Sequence, residues 1–128
     1  MSRNYNALFG PAPAWLSLPE AERLAQVLRY HQELRLPHPP TPKPRVHAAM
    51  HVMVENQVAL GEPPFVRETL ERLLQEGLNR HESVHAIAEV GADLVMAAGL
   101  GRKYDVAAHE ESLRLLSAKA LNAAADDE

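Results

Sequence analysis

The chain has 128 residues, no cysteine and a formal net charge of -4, a size that suits one domain, residues 1–128, with a buried core. The lack of cysteine excludes disulfides, thiolate metal sites and iron–sulfur clusters, and the scattered basic residues argue against a nucleic-acid partner. No stretch reaches the ~18 apolar residues of a membrane span, so we expect a cytoplasmic protein without a membrane partner. The abundance of alanine, leucine and glutamate predicts an all-α fold. We expect a compact bundle of four to five helices.

The amino-terminal residues 1–16 predict an extended arm, because glycine and proline interrupt any helical pattern there. Trp15 and Leu16 are the expected anchors of this arm. The first helix follows, since Ser17 stands at capping-box spacing from a glutamate and an apolar stripe continues to Leu36.

Residues 37–44 contain five prolines and predict an extended linker, in which His38 is expected to be exposed. The second helix begins near Pro44 and runs to Leu60. Gly61 then offers a C-terminal cap for this helix.

Two further helices complete a predicted core over residues 44–98. Pro64 opens the third helix and Gly77 closes it. The fourth helix covers roughly 80–98, because Asn79 stands at capping spacing from a glutamate.

The last predicted helix covers residues 105–125, with Asp105 as its cap. Its expected packing stripe consists of Leu113, Leu116, Ala120 and Leu121. Apolar residues of the first and last helices could support a homodimer, although packing within the chain explains them equally well.

One pattern, H-x3-H-x3-E, occurs in both the second and the fourth predicted helix. Residues four apart lie on one helix face, about 6 Å apart along the axis, so each copy aligns two imidazoles and a carboxylate. If the two helices face one another, these groups surround a common space that suits one or two ions of Zn, Fe, Mn or Ni. The predicted metal ligands are His47, His51, Glu55, His81, His85 and Glu89.

The number of metals depends on how the two helices pack. Parallel helices, which an up-down-up path through the third helix predicts, favour one ion among four histidines, with the glutamates orienting the ligands. Alternatively, the two helices cross or run antiparallel about His51 and His85. Each end of their interface then contains both histidine and glutamate, which favours two ions bridged by carboxylate. The sequence leaves both arrangements open.

The second copy also contains H-E-x-x-H, in which zinc hydrolases place two ligands and a general base. Under this alternative, Glu82 would be the catalytic residue. Charged Arg80 before the motif and the capping position of Glu82 weaken this interpretation. A third alternative is an interaction module that metal stabilises without catalysis.

Residues 44–98 resemble a family of small bacterial proteins, the domain of unknown function number eighteen forty-one. The resemblance rests on H-x3-H-x3-E-x-Q, a turn with two prolines, and the second H-x3-H-x3-E. The family pattern does not require glutamate at Glu82, which further weakens the hydrolase alternative. Tyr30 and His31 match a dipeptide of the family, but an exposed or packed His31 is favoured over an extra ligand. The resemblance implies no activity.

Overall fold

The computed structural model describes residues 5–33 and 43–126, and the described chain is helical. Residues 37–42 of the predicted linker, with His38, lie outside the described residues, as does the end of the predicted first helix. The all-α bundle is confirmed, and the described residues form six helices, five of them substantial. They are α1 (Glu20–Glu33), α2 (Pro44–Leu60), α3 (Pro64–Gln75), α4 (Arg80–Gly99), α5 (Val106–Arg114) and α6 (Ala118–Asp126), preceded by a 3-10 turn at Trp15–Ser17.

The ends of the core helices follow the signals in the sequence. Gly61 adopts φ +71° and ends α2, a left-handed conformation that glycine accepts without a steric penalty. At the start of α4, Asn79 Oδ1 accepts the Glu82 N–H at 2.8 Å, and Glu82 Oε1 accepts the Asn79 N–H at 3.0 Å. This reciprocal pair is a capping box, as the spacing predicts.

The single carboxyl-terminal helix predicted over 105–125 is wrong, because the chain forms α5 and α6 instead. Ser117 Oγ accepts the Ala120 N–H at 3.0 Å, and Glu76 Oε1 accepts the Ala118 N–H at 2.9 Å. These acceptors satisfy the free N–H groups of a new helix start, so the chain can turn before Ala118. The packing stripe changes as well, since Ala118 is buried and Ala120 is exposed.

Two apolar clusters form the core, and α2 contributes to both. The larger cluster joins α2 to the helices that follow it, with Val54, Leu73 and Ile87 among its buried members. The smaller cluster joins the arm to α1 and α2 through Tyr5, Ala7, Trp15, Val27, Ala48 and Val52. Each large side chain buried in this way contributes about 1.5–3 kcal/mol to folding.

The arm is fixed by one of its two predicted anchors. Trp15 is buried, and its Nε1 donates a hydrogen bond to Asn56 Oδ1 at 2.9 Å. Leu16 is 41% exposed, so its prediction as an anchor is wrong. Consecutive residues of the 3-10 turn point in different directions, and only one of the pair can face α2.

Helices α2 and α4 run antiparallel across one another. Going forward along α2, His47 contacts the ring of His85 with centroids 5.1 Å apart, and His51 contacts His81 at 5.6 Å, so the order on α4 is reversed. The parallel arrangement expected from an up-down-up path is therefore wrong. Because α2 and α4 are opposed, α3 cannot lie antiparallel to both. Among the described residues, no helix has the length and apolar content to cross a lipid bilayer.

Candidate metal centre

Five imidazoles from α1, α2 and α4 converge at the centre of the bundle. Their ligand nitrogens form two groups of three, and within each group all of these atoms lie within 4.8 Å of one another. The first, called the His31 group, contains His31, His51 and His81. The second, called the His85 group, contains His47, His51 and His85. His51 is the member that the two groups share.

His51 is completely buried, with 0% of its surface exposed. Burial lowers the pKa of this imidazole far below its ordinary value, and the other four histidines of the cluster lower it further. The ring is therefore neutral at physiological pH. Within the described part of the chain, neither Nδ1 nor Nε2 of His51 has a hydrogen-bond partner. A buried polar group without a partner is costly, so packing within the described chain does not account for this ring.

His31 enters the cluster from α1 with one ring nitrogen already engaged. Its Nδ1 lies 2.9 Å from the carbonyl oxygen of Val27. Because a carbonyl only accepts hydrogen bonds, Nδ1 carries the proton and the buried Nε2 keeps its lone pair. The sequence favoured an exposed or packed His31, and the structure places this half-buried ring in the His31 group. Val27 is buried one turn earlier on the same face of α1, so the apolar stripe of α1 was the signal for this position.

His85 is oriented by the glutamate of its own motif. Its Nε2 lies 3.0 Å from Glu89 Oε1, so the carboxylate accepts the Nε2 proton and the lone pair remains on the buried Nδ1. The Glu89 side chain is 68% exposed. Among the described residues, Glu89 does not belong to either nitrogen group. Glu89 thus orients the His85 ring from outside the cluster.

A pocket of about 210 Å³ opens beside the His85 group. His47 and His85 form part of its wall, and Met50 contributes an apolar side chain. Lys43 and Glu89 also line it and give it one positive and one negative group. The pocket has room for a few water molecules or a small molecule next to these imidazoles.

Glu55 lies in a separate buried ion pair and, within the described chain, in neither nitrogen group. Its Oε1 accepts Arg80 Nη2 at 2.6 Å, and its Oε2 accepts Arg80 Nη1 at 2.7 Å. The Tyr5 hydroxyl donates to Oε2 at 2.6 Å. Burial raises the pKa of Tyr5 well above its ordinary value, and the negative charge of Glu55 raises it further, so Tyr5 stays protonated. Glu55 therefore binds the arm to α2 and α4.

Glu82 lies outside both nitrogen groups in the described chain, at the exposed start of α4. Its carboxylate accepts the Asn79 N–H and belongs to the capping box. A general base of a zinc hydrolase must reach the metal-bound water. The geometry does not support the hydrolase alternative.

Comparison with known proteins places the chain in a family without assigning it an activity. A family model described as a domain of unknown function (DUF1841) matches residues 17–115, a range that includes all five histidines of the cluster. No curated protein and no solved structure matches the chain. Because the family match covers most of the sequence, the chain belongs to the DUF1841 family.

Proposed function

We propose that this protein binds a transition metal through the histidines of the His31 and His85 groups. The observation that carries the proposal is the convergence of four imidazoles from three helices on a fifth, His51. This ring is completely buried and, among the described residues, has no hydrogen-bond partner for either nitrogen. A metal ion supplies the partner that such a ring otherwise lacks.

The donor set narrows the choice of metal. Imidazole nitrogen suits Zn, Ni and Fe, whereas Mn prefers carboxylate and water oxygens. Both oxygens of Glu55 already accept hydrogen bonds from Arg80, so this carboxylate is engaged elsewhere. We therefore favour Zn, Ni or Fe over Mn.

Hydrogen bonds around the cluster support ligation by two of the histidines. The carbonyl of Val27 fixes the tautomer of His31, and the carboxylate of Glu89 orients His85. Partners of this kind hold an imidazole in its ligating orientation and make it a stronger donor. Three imidazoles leave a tetrahedral metal with one position for water, and the pocket beside the His85 group gives small molecules access to it.

The test is metal content and uptake. Purified protein is analysed by elemental mass spectrometry, stripped with a chelator and titrated with Zn²⁺ by calorimetry. We expect uptake by the apoprotein and a higher melting temperature, because Zn²⁺ at 100 times Kd stabilises the folded state by about 2.7 kcal/mol. The variant His51→Ala should lose this uptake.

The matched control is His109→Gln, which removes a buried histidine that lies on α5 outside both nitrogen groups. This variant should retain the uptake of Zn²⁺. Circular dichroism of each variant confirms that its helices remain folded. A folded wild-type apoprotein that takes up no Zn²⁺, Ni²⁺ or Fe²⁺ would overturn the proposal.

A further inference from the structure

We infer that His51 bridges two metal ions as an imidazolate, with one ion in the His31 group and the other in the His85 group. This inference rests on the proposed function. It assigns the cluster two ions held by nitrogen alone, in place of two ions bridged by carboxylate.

The division of the ligand nitrogens into two groups supports two centres. A metal–nitrogen bond of about 2.1 Å allows two ligands of one ion to lie at most about 4.2 Å apart. Five nitrogens bound to one ion would therefore all lie within about 4.2 Å of one another. The described histidines instead form two groups of three that share His51.

The two buried nitrogens of His51 support a bridge more directly. A neutral imidazole has one lone pair and one N–H group. An ion bound to the lone pair would leave the N–H group buried without a partner, because neither nitrogen of His51 has one among the described residues. A second ion in place of that proton satisfies both nitrogens.

The surroundings of His31 and His85 distinguish these two rings from His51. His31 and His85 each direct one ring nitrogen to an oxygen acceptor, namely Val27 O and Glu89 Oε1. Those nitrogens keep their protons, so each of these rings serves one ion.

Formation of the bridge converts neutral His51 to an imidazolate and releases one proton. The first divalent ion binds the lone pair of neutral His51. Binding of the second ion displaces the remaining N–H proton, which leaves to the solvent, so each bridged pair releases one proton. The negative imidazolate then lies between two cations and reduces their repulsion.

Stoichiometry tests the two sites. Apoprotein is titrated with Zn²⁺, and the bound ions are counted by elemental analysis after dialysis. We expect two ions per wild-type chain, one in His31→Ala and one in His85→Ala, with two retained in His109→Gln. Uptake of a single ion by the wild type would overturn the bridge while the proposed function stands. No uptake at all would overturn the proposed function itself.

Magnetic coupling tests the bridge itself. The protein is loaded with Cu²⁺, and its electron paramagnetic resonance signal is integrated. An imidazolate bridge couples the two spins antiferromagnetically, so at low temperature the wild type should show far less signal than its copper content. The variants His31→Ala and His85→Ala, each with one copper, should show the full signal. Two bound coppers with a full two-spin signal in the wild type would contradict the bridge.

X-ray absorption of the zinc form supplies an independent distance. A bridging ring flanked by two bonds of about 2 Å separates the ions by about 6 Å. Ions joined directly by a carboxylate or a hydroxide lie about 3.5–4 Å apart. A zinc–zinc scattering signal at the shorter distance would overturn the bridge.

Discussion

The two H-x3-H-x3-E copies have the same spacing, but their glutamates lie in opposite environments. Glu55 on α2 is completely buried and accepts three hydrogen bonds, two from Arg80 and one from Tyr5. Glu89 on α4 is 68% exposed and contacts His85 of its own helix. The antiparallel packing explains the difference, because the third position of each copy lies at an opposite end of the interface. Identical spacing therefore produces a buried structural anchor at one end and an exposed group that orients His85 at the other.

Removing the buried glutamate should have the largest effect on folding. Glu55→Ala leaves Arg80, whose side chain is only 14% exposed, without its carboxylate partner. Removing one member of a buried ion pair costs about 3–5 kcal/mol, because the remaining charge stays desolvated. We expect a loss of that size in the free energy of unfolding, measured by urea denaturation of the apoprotein.

The matched control for this experiment is Glu89→Gln, the same motif position in the other copy. It should change the free energy of unfolding by less than about 1 kcal/mol, as exposed ion pairs do. If the two variants lost similar amounts of unfolding free energy, the proposed difference between the two motif copies would be contradicted. Loss of metal from a folded Glu55→Ala protein would also contradict it, because Glu55 would then contribute to the metal site.

Substitutions in the arm that covers the buried ion pair should have the next largest effect on the free energy of unfolding. Gly10 has φ +86°, and a Cβ atom on it would lie 3.1 Å from Arg80 Cζ. The left-handed backbone costs a residue other than glycine about 1–2 kcal/mol, and the contact with Arg80 adds to this cost. Gly10→Ala should therefore lower the free energy of unfolding by at least that amount.

Gly101→Ala is the control that separates backbone strain from contact. Gly101 has a similar φ of +88°, but no described atom lies within 4 Å of the position that a Cβ atom would take there. Both variants have the same backbone strain, whereas only Gly10→Ala places a methyl group against Arg80. If both variants lose the same free energy of unfolding in urea, the added methyl group at residue 10 makes no unfavourable contact with Arg80.

The sequence predicted the features that depend on local spacing. Capping signals located α2, α3 and α4, and the four-residue repeat identified four of the five clustered histidines, His47, His51, His81 and His85. These features depend on helix geometry, which is the same wherever a helix packs. They could therefore be predicted without knowledge of the tertiary contacts.

The remaining features depend on contacts between distant residues. The fifth histidine, His31, has no motif partner within α1, and the sequence pointed to it only through the Tyr30-His31 dipeptide and the apolar stripe of that helix. Glu55 resembles a ligand until the structure places Arg80 and the arm beside it. The break between α5 and α6 depends on Glu76, which follows α3 and accepts the Ala118 N–H. Such pairings follow from how the helices cross, and spacing within one helix does not determine that.

Substitution of Glu89 should have the smallest effect on folding and the most specific effect on metal affinity. Glu89→Gln replaces the carboxylate that accepts the Nε2 proton of His85 by a neutral amide, in an exposed position where stability hardly changes. Loss of a partner of this kind weakens metal affinity by about 10–100-fold. Competition titration with a zinc indicator should show this loss at the site of the His85 group, while the site of the His31 group keeps its affinity. An equal loss at both sites would mean that Glu89 acts through net charge alone, because a long-range charge effect does not distinguish between the two groups.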